Sequence, residues 1–311
     1  HNLQGAVYPN LHPTLTVASL LHCQAFYFAR HFYQQLANQG GNFAMQWCGV
    51  LHLATNPALL QRQQKIINQA NWPVTLVHPV SAATASQLAG LELEHGGIFL
   101  PQAGWLSPEQ FCLAALAQLK KSPLFTVQFN CRVSDVRAAA DKSPYWQIQY
   151  EKTGQRHQAL SPAVVLANGA DIARFSPSQH LPVNRVRGQV SHVSSSGMQP
   201  LSTVLCHKGY ITPAFAGCHA VGATFDRTAD SAFVSSSDDK ENLNLVNSQL
   251  QQPAWFADAA VVSARAAFRA TIPDHLPLLG NITEPEGLYA FGGLGARGIL
   301  LAPLLAVLLD L

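Results

Sequence analysis

The sequence predicts a fold of the α/β class, with mixed α+β character. Three observations support this prediction. Apolar residues follow a helical period in some segments and a strand period in others along the 311 residues. Hydrophobic residues make up 48% of the chain and charged residues only 12%, below the roughly 25% of a typical soluble domain. The length suffices for two domains, or one large domain, with a sizeable core. The low charge indicates a charge-poor surface or a surface that faces another part of a larger protein.

Four segments are predicted to be helices. One carries a continuous apolar stripe at helical spacing. Another opens at Asn56-Pro57, where a capping residue precedes a proline at the first helical position. A third begins at Ser107, and a capping box is expected to join Ser107 to Gln110. The predicted helices are 15–36, the one that opens at 56–57, 107–121 and 298–311.

Short β-rich runs alternate with these helices. The run 146–150 alternates polar and apolar residues, as a half-exposed strand does. The run 163–167 is continuously apolar and ends at Asn168-Gly169, which predicts a strand buried on both faces. Residues 194–197 and 235–239 are interpreted as surface loops. The other predicted strands are 74–77, 97–100, 125–129, 188–193, 209–212, 220–224 and 288–291.

Composition and cysteine spacing exclude several classes of protein. The formal net charge of +2 gives no strong electrostatic footprint for nucleic acid, although RNA contact through a local patch stays open. The longest apolar run, 299–309, contains Pro303 and is shorter than the roughly 20 residues of a membrane span. Residues 1–30 show no secretory signal. Six scattered cysteines without a CxxC pair predict reduced, buried thiols in a cytoplasmic protein.

A GxGxxG motif stands near the end of the chain, between a predicted strand and a predicted helix. Its glycines would let the backbone approach a phosphate, and the helix N-terminus would offer unpaired N–H groups. A dinucleotide fingerprint also needs a following strand with an acidic residue about 20 positions on, and the chain stops at Leu311. A tightly packed helix entry explains the motif equally well. The motif residues are Gly293, Leu294, Gly295, Ala296, Arg297 and Gly298.

Taken together, these segments resemble the flavoprotein family that includes D-amino-acid, glycine and sarcosine oxidases. The run 163–170 looks like the family's strand beside the flavin nucleotide, and 268–280 looks like its arginine-containing loop. The segment 288–303 is similar to its closing strand, glycine loop and helix. The resemblance implies a Rossmann-like FAD-binding domain interleaved with an antiparallel substrate domain. We expect the FAD-binding domain over 1–40, 95–175 and 265–311, and the substrate domain over 41–94 and 176–264.

A narrower resemblance is to the oxidoreductase half of tRNA 5-methylaminomethyl-2-thiouridine biosynthesis bifunctional proteins. The segments that carry it are 4–9, 96–106, 181–192 and 209–213, in the same order along nearly the whole chain. It implies FAD as cofactor, tRNA as substrate and a methyltransferase domain in the same polypeptide. The family's opening strand, with its own GxGxxG, would precede His1. We therefore expect this chain to lack that strand and to hold FAD weakly.

The chemistry that the resemblance implies is oxidation of a carbon–nitrogen bond in a carboxymethylaminomethyl uridine. A hydride leaves the carbon next to the amine, and the resulting imine hydrolyses to the aminomethyl form and glyoxylate. The cofactor carries the difficult step, so the protein needs mainly a cation for the substrate carboxylate. Arg269 is the first candidate, because a guanidinium matches a carboxylate in a bidentate manner. The alternative is an arginine paired with a structural acid such as Asp274.

Tyr210 is the second candidate for the substrate carboxylate, to which its hydroxyl would donate a hydrogen bond. An ordinary aromatic residue of the sheet is an equal alternative. The expected cofactor contacts extend beyond the glycine motif, although a plain turn or core packing explains some of them as well. These additional contacts are Gln4, Gly5, Ala6, Val133, Ala167, Asn168 and Gly169.

A basic patch facing tRNA is a further hypothesis, against which solvated surface charge is the more frequent explanation. No metal is expected, because Cys206-His207 and Cys218-His219 lack the ligand spacing of a zinc site. Two other functions stay open: oxidation of free glycine, sarcosine or a D-amino acid, and a non-catalytic RNA-binding scaffold. The candidate patch residues are Lys120, Lys121, Arg185, Arg187 and Lys208.

Overall fold

The computed structural model describes residues 2–140, 144–284 and 286–309. The chain forms two compact units, unit 1 from His1–Gln118 with Arg187–Ala267 and unit 2 from Leu119–Val186 with Phe268–Leu311. Helices and strands alternate in both, so the predicted mixed α/β class is confirmed. The assignment of cofactor and substrate domains to particular residues stays a prediction.

The helices of the described chain begin largely where the capping signals place them. Asn56 caps its helix by accepting a hydrogen bond from Leu59 N–H, and Pro57 occupies the first helical position. Thr16 forms a capping box with Ser19 at the first helix. The expected helix end at Leu311 lies outside the described residues. The α-helices are α1 Val17–Asn38, α2 Pro57–Gln69, α3 Ala82–Ala89, α4 Pro108–Leu119, α5 Ser236–Leu250 and α6 Gly298–Leu308.

The strands are short, apart from two long ones in the middle and near the end of the sequence. Three 3₁₀ segments, Gly169–Arg174, Ser176–Ser178 and Pro253–Phe256, connect some of them. The strands are β1 Gly5–Val7, β2 Met45–Gln46, β3 Val50–Leu53, β4 His78–Val80, β5 Gly97–Leu100, β6 Gly104–Leu106, β7 Cys131–Ala138, β8 Trp146–Lys152, β9 Gln155–Ser161, β10 Val164–Leu166, β11 Asn184–Ser194, β12 Val204–Cys206, β13 Tyr210–Ile211, β14 His219–Gly222, β15 Ala260–Thr271, β16 Leu278–Asn281 and β17 Leu288–Gly292.

An eight-stranded sheet organises unit 1, in the order β15-β11-β14-β13-β12-β3-β5-β4. Alternate residues of its strands, such as Leu51, Val193 and Val221, enter a core with residues of α3 and α5. The opposite face of the same strands carries Tyr210. A small sheet, β1-β6-β2, belongs to the same unit.

Unit 2 contains two three-stranded sheets, β7-β8-β9 and β10-β17-β16. Strands β10 and β17 are parallel, with Val164 opposite Leu288 and Leu166 opposite Ala290. A separate core includes Trp146, Ile172 and Leu288. The sheet with the parallel pair positions the glycine motif, because β17 leads directly into it.

Several predicted elements are wrong. Residues 74–77 form a turn, and the strand begins at His78. Residues 125–129 form no strand, since no neighbouring strand pairs with them in the described chain. Residues 235–239 are not a loop but the start of α5, which Ser235 caps.

The environments predicted for Val165 and Gln110 are also wrong. Val165, in an edge strand of its sheet, is 37% exposed, so β10 is not buried on both faces. Gln110 does not complete a capping box with Ser107, because its Oε1 accepts a hydrogen bond from Ala44 N–H at 2.7 Å. Ser107 N–H donates instead to Ala44 O.

Candidate functional site

The glycine motif lies at the carboxyl edge of a parallel strand pair in unit 2. The segment 293–298 follows β17, and 167–169 follows β10, so the pairing of these strands brings both loops to one edge of the sheet. Ligands of parallel α/β sheets bind outside the carboxyl ends of the strands. The tertiary structure therefore unites two segments that are more than a hundred residues apart in sequence.

Two glycines of the motif adopt the left-handed backbone conformation. Gly293 has φ +69° and Gly295 has φ +55°, a region that residues with a Cβ adopt at a cost. A Cβ on Gly293 would lie 2.6 Å from Ile272 Cγ1, so glycine is also required there by packing. Gly295 N–H donates to Ala270 O at 2.8 Å, which fixes the loop against the end of β15.

Three glycines at this edge of the sheet have room for a larger residue. A Cβ on Gly169 would meet no atom within 4 Å, and the nearest atoms for Gly295 and Gly298 lie at 3.8 and 3.9 Å. The helix α6 begins directly after Arg297, whose side chain makes no capping hydrogen bond. A helix start without a side-chain cap, beside a glycine backbone that carries no side chains, suits an anionic group such as a dinucleotide. The residues present therefore fit the cofactor that the sequence predicts.

The other expected cofactor residues of unit 2 lie in two places. Ala167, Asn168 and Gly169 are exposed, and Asn168 Nδ2 donates to Asp171 O at 2.7 Å, which holds the start of the 3₁₀ segment. Val133 lies in β7, where the pairing with β8 is irregular between Val133 and Asp135. Its side chain packs against the core of unit 2.

Gln4, Gly5 and Ala6 lie in unit 1, on or beside β1. The side chain of Gln4 is completely buried, and its Nε2 donates to Pro213 O at 2.9 Å. Thr212 Oγ1 donates to Gln4 Oε1 at 2.7 Å. The amide thus fastens β1 to the segment after β13, the strand that carries Tyr210. Sequence reasoning missed this role, since only the fold brings residues 4 and 212 together.

The two residues that are candidates for binding the substrate carboxylate lie in different strands. Tyr210 is half-buried in β13, and its neighbours across the sheet are Cys206 and Gly222. Arg269 is half-buried in β15 of unit 2. Asp274, the acid considered as its structural partner, accepts a hydrogen bond from Leu276 N–H through Oδ1 at 2.9 Å. The roles of Tyr210 and Arg269 stay predictions.

Three histidines of the large sheet region have lowered pKa values. Burial lowers the pKa of His207 to about 4, and Gly209 N–H donates to its Nδ1. Burial also lowers the pKa of His192, whose Nδ1 lies 2.7 Å from Ser263 Oγ. The same cause lowers the pKa of His219, although a hydrogen bond with Thr212 O partly opposes it. At neutral pH these side chains are uncharged parts of the sheet.

The predicted basic patch is wrong for Arg187. This side chain is 8% exposed and lies 2.7 Å from the Asp238 carboxylate, where it joins β11 to α5. It also donates to Phe233 O and to Gln189 Oε1. Arg187 therefore serves the packing of unit 1. Arg185, in unit 2, stacks over Phe268 at 4.2 Å and lies 3.5 Å from Asp171.

The remaining basic candidates are exposed. Lys120 and Lys208 are accessible to solvent, as is Lys121. Across the residues that the structure describes, no cluster of histidine, cysteine or acidic side chains has the geometry of a metal site. Within the same residues, no helix combines the length and apolarity needed to cross a membrane.

Comparison with known proteins assigns the chain to a family. Residues 4–310 match the family described as FAD dependent oxidoreductase, or DAO. Two curated relatives, from Pseudoalteromonas atlantica and Aeromonas hydrophila, are named tRNA 5-methylaminomethyl-2-thiouridine biosynthesis bifunctional protein MnmC. They are 33% and 34% identical over 99% of this chain. The chain spans 49% of the length of each of these relatives.

Solved structures share the fold. Glycine oxidase from Bacillus cereus superposes with a TM-score of 0.81 at 20% identity, over 98% of this chain and 82% of the other. Glycine oxidase from Geobacillus kaustophilus gives a TM-score of 0.78 at 24% identity, over 95% and 78% of the two chains. These similarities confirm the predicted oxidase-like architecture.

Proposed function

The chain belongs to the FAD-dependent oxidoreductase family, and from this premise we propose that it is the oxidoreductase part of a tRNA-modifying enzyme. The proposed reaction removes the carboxymethyl group from 5-carboxymethylaminomethyl-(2-thio)uridine at the tRNA wobble position and leaves the 5-aminomethyl form. A methyltransferase domain of the same polypeptide would act on that product. The tRNA substrate implies a cytoplasmic protein.

One observation carries this proposal: nearly the whole chain is similar to proteins that are named for tRNA thiouridine biosynthesis. The glycine backbone at 169, 295 and 298, where no atom of the protein lies closer than 3.8 Å to a Cβ position, supports the cofactor half of the proposal, because a dinucleotide can approach a backbone without side chains closely. Bound FAD supplies the two-electron oxidation of the carbon–nitrogen bond.

The chain's own side chains would bind and orient the substrate. Arg269 would pair with the substrate carboxylate through its guanidinium, and Tyr210 would donate a hydrogen bond to the same group. Gln4 would keep the strand of Tyr210 in place through its hydrogen bonds with Thr212 Oγ1 and Pro213 O. On this proposal, Gly5 and Ala6 contribute main chain rather than side chain to the cofactor site.

A second candidate function is oxidation of a free small amino acid such as glycine. The similarity of the fold to glycine oxidases favours it. Both functions use the same reacting unit, an amine next to a carboxymethyl group, so Arg269 and Tyr210 would have the same roles in each. They differ in whether the substrate carries a nucleoside.

The test uses the full-length protein loaded with FAD. We expect it to convert tRNA that contains 5-carboxymethylaminomethyl-uridine, measured by mass spectrometry of the digested nucleosides, and to release glyoxylate. Oxidation of free glycine with the modified uridine left intact would contradict the proposal and favour the second function. A full-length protein that stays colourless after reconstitution with FAD would favour a non-catalytic scaffold.

A further inference from the structure

The face of the large sheet that carries Tyr210 also carries a histidine two strands away. His52 of β3 is the register partner of Cys206 in β12, and Cys206 is the register partner of Tyr210 in β13. Directly paired residues of adjacent strands project from the same face of a sheet. His52, Cys206 and Tyr210 therefore form one row across unit 1.

A second aromatic ring reaches this row from the segment after β1. The rings of Tyr8 and His52 meet edge to face, with centroids 4.9 Å apart and planes at 75°. Tyr8, His52 and Tyr210 are all half-buried. Cys206, between the two outer residues of the row, is 3% exposed and is therefore covered in the folded chain. Its side chain is shorter than those of His52 and Tyr210, which we call the two walls of the row.

The spacing of the walls suits a flat aromatic guest. His52 and Tyr210 are two strands apart, which corresponds to about 9.5 Å between their main chains. A planar ring in van der Waals contact with a ring on each side needs about 7–8 Å between the two walls. The strand spacing is therefore of the size that a planar guest between two rings requires.

The histidine wall is held at its backbone and at its ring. Gln63 of α2 is buried, and its Nε2 donates to the main-chain oxygen of His52 at 2.9 Å. The edge contact with Tyr8 restrains the imidazole ring. A prearranged wall of this kind lowers the cost of ordering side chains when a ligand binds.

We infer that Tyr8 and His52, together with the ring of Tyr210, form a stacking slot for the pyrimidine base of the substrate. This inference rests on the proposed function, because only the tRNA substrate brings a base to the reacting amine. The carboxymethyl arm extends from that base, so one residue, Tyr210, contacts the arm through its hydroxyl and the base through its ring. The slot distinguishes a nucleoside-bearing amine from a free amino acid.

The experiment compares two substrates of the full-length, FAD-loaded protein. One is tRNA with 5-carboxymethylaminomethyl-uridine, and the other is N-ethylglycine, which has the reacting N–CH₂–COO⁻ unit but no base. We expect His52→Ala to raise the ratio of the KM for tRNA to the KM for N-ethylglycine about tenfold, as the loss of one base-stacking contact does. His52→Phe keeps an aromatic wall and is expected to restore most of the ratio.

His78→Ala is the matched control. His78 of β4 also meets an aromatic ring edge to face, Phe99 at 5.7 Å and 73°. Phe99 projects from the core face of the same sheet, however, away from the row of Tyr210. This control is expected to leave the KM ratio unchanged.

The outcomes separate the slot from the proposed function. An unchanged KM ratio in His52→Ala, or an equal rise for both substrates, overturns the slot while the proposed function stands. A wild-type protein that oxidises N-ethylglycine but not the tRNA overturns the proposed function itself. If His52→Ala does not fold, Tyr8→Leu against Tyr8→Phe makes the same comparison, and equal KM ratios in these two variants overturn the slot.

Discussion

At the scale of the residue, two arginines show how surroundings decide a role. Arg187 and Arg269 both lie in long strands, β11 and β15. Arg187 is buried against Asp238, whose carboxylate offsets the cost of removing the guanidinium charge from water. Arg269 is half-buried in an otherwise largely apolar strand. Side-chain type alone does not separate a structural arginine from a candidate substrate ligand.

Replacement of Arg269 tests its proposed role. Arg269→Ala in the full-length protein is expected to lower kcat/KM for the modified tRNA by about a hundredfold, because a charge-assisted pair with the substrate carboxylate is lost. The flavin absorbance of the purified protein should persist. Arg137→Ala is the control, since Arg137 is an exposed residue of β7 whose Nε donates to Gln147 Oε1. Equal turnover in Arg269→Ala and wild type would remove Arg269 from the carboxylate site.

At the scale of the element, the loop between β17 and α6 has three features. It combines a left-handed backbone at Gly293 and Gly295, close packing against Ile272, and room for a Cβ at Gly295 and Gly298. The backbone conformation and the packing follow from the protein's own geometry. The room at Gly295 and Gly298 plays no part in that packing, and we propose that the cofactor approaches the loop there.

A matched pair of glycine variants separates backbone strain from cofactor contact. Gly295→Ala and Gly154→Ala both place a Cβ on a left-handed residue with no atom of the protein closer than 3.8 Å. Each should lower the free energy of unfolding by about 1 kcal/mol, measured by urea denaturation. Only Gly295→Ala is expected to weaken FAD binding, by about tenfold, because its methyl group occupies the approach path of the dinucleotide. Equal FAD dissociation constants for the two variants would refute this assignment of the loop.

At the scale of the whole molecule, buried histidines link stability to pH. Burial lowers the pKa values of His192, His207 and His219, that of His207 to about 4. The unfolded chain binds protons at these positions below about pH 6.5, whereas the folded chain resists protonation. The free energy of unfolding is therefore highest above pH 6.5 and falls as the pH decreases toward 4.

His207 alone should account for a loss of about 3 kcal/mol between pH 7 and pH 4. Urea denaturation across this range measures the loss. We expect His207→Gln to reduce the dependence on pH, because glutamine does not titrate. His31→Gln, at an exposed position of α1, should leave the dependence as in the wild type. If the free energy of unfolding of His207→Gln fell as steeply as that of the wild type between pH 7 and pH 4, the role given to His207 would be contradicted.

The sequence determined the fold class, most helix starts and the nature of the glycine loop, because these depend on local signals. Asn56-Pro57 favours a helix start through the geometry of its own backbone and side chain, and Gly293 and Gly295 permit a backbone that other residues resist. The order of the motif-bearing segments along the chain was also sufficient to predict the family correctly. The predicted strand 125–129 failed, since β-propensity produces a strand only where a neighbour offers backbone hydrogen bonds.

Only the tertiary structure decided which distant residues meet. Three features join separate parts of the sequence. They are the hydrogen bond between Gln4 and Thr212, the ion pair of Arg187 with Asp238, and the row that contains His52 and Tyr210. Each arises from strand register and helix docking, which depend on how the whole chain buries its apolar surface. A local signal cannot specify a partner two hundred residues away, and for that physical reason the candidate substrate slot was visible only in the folded chain.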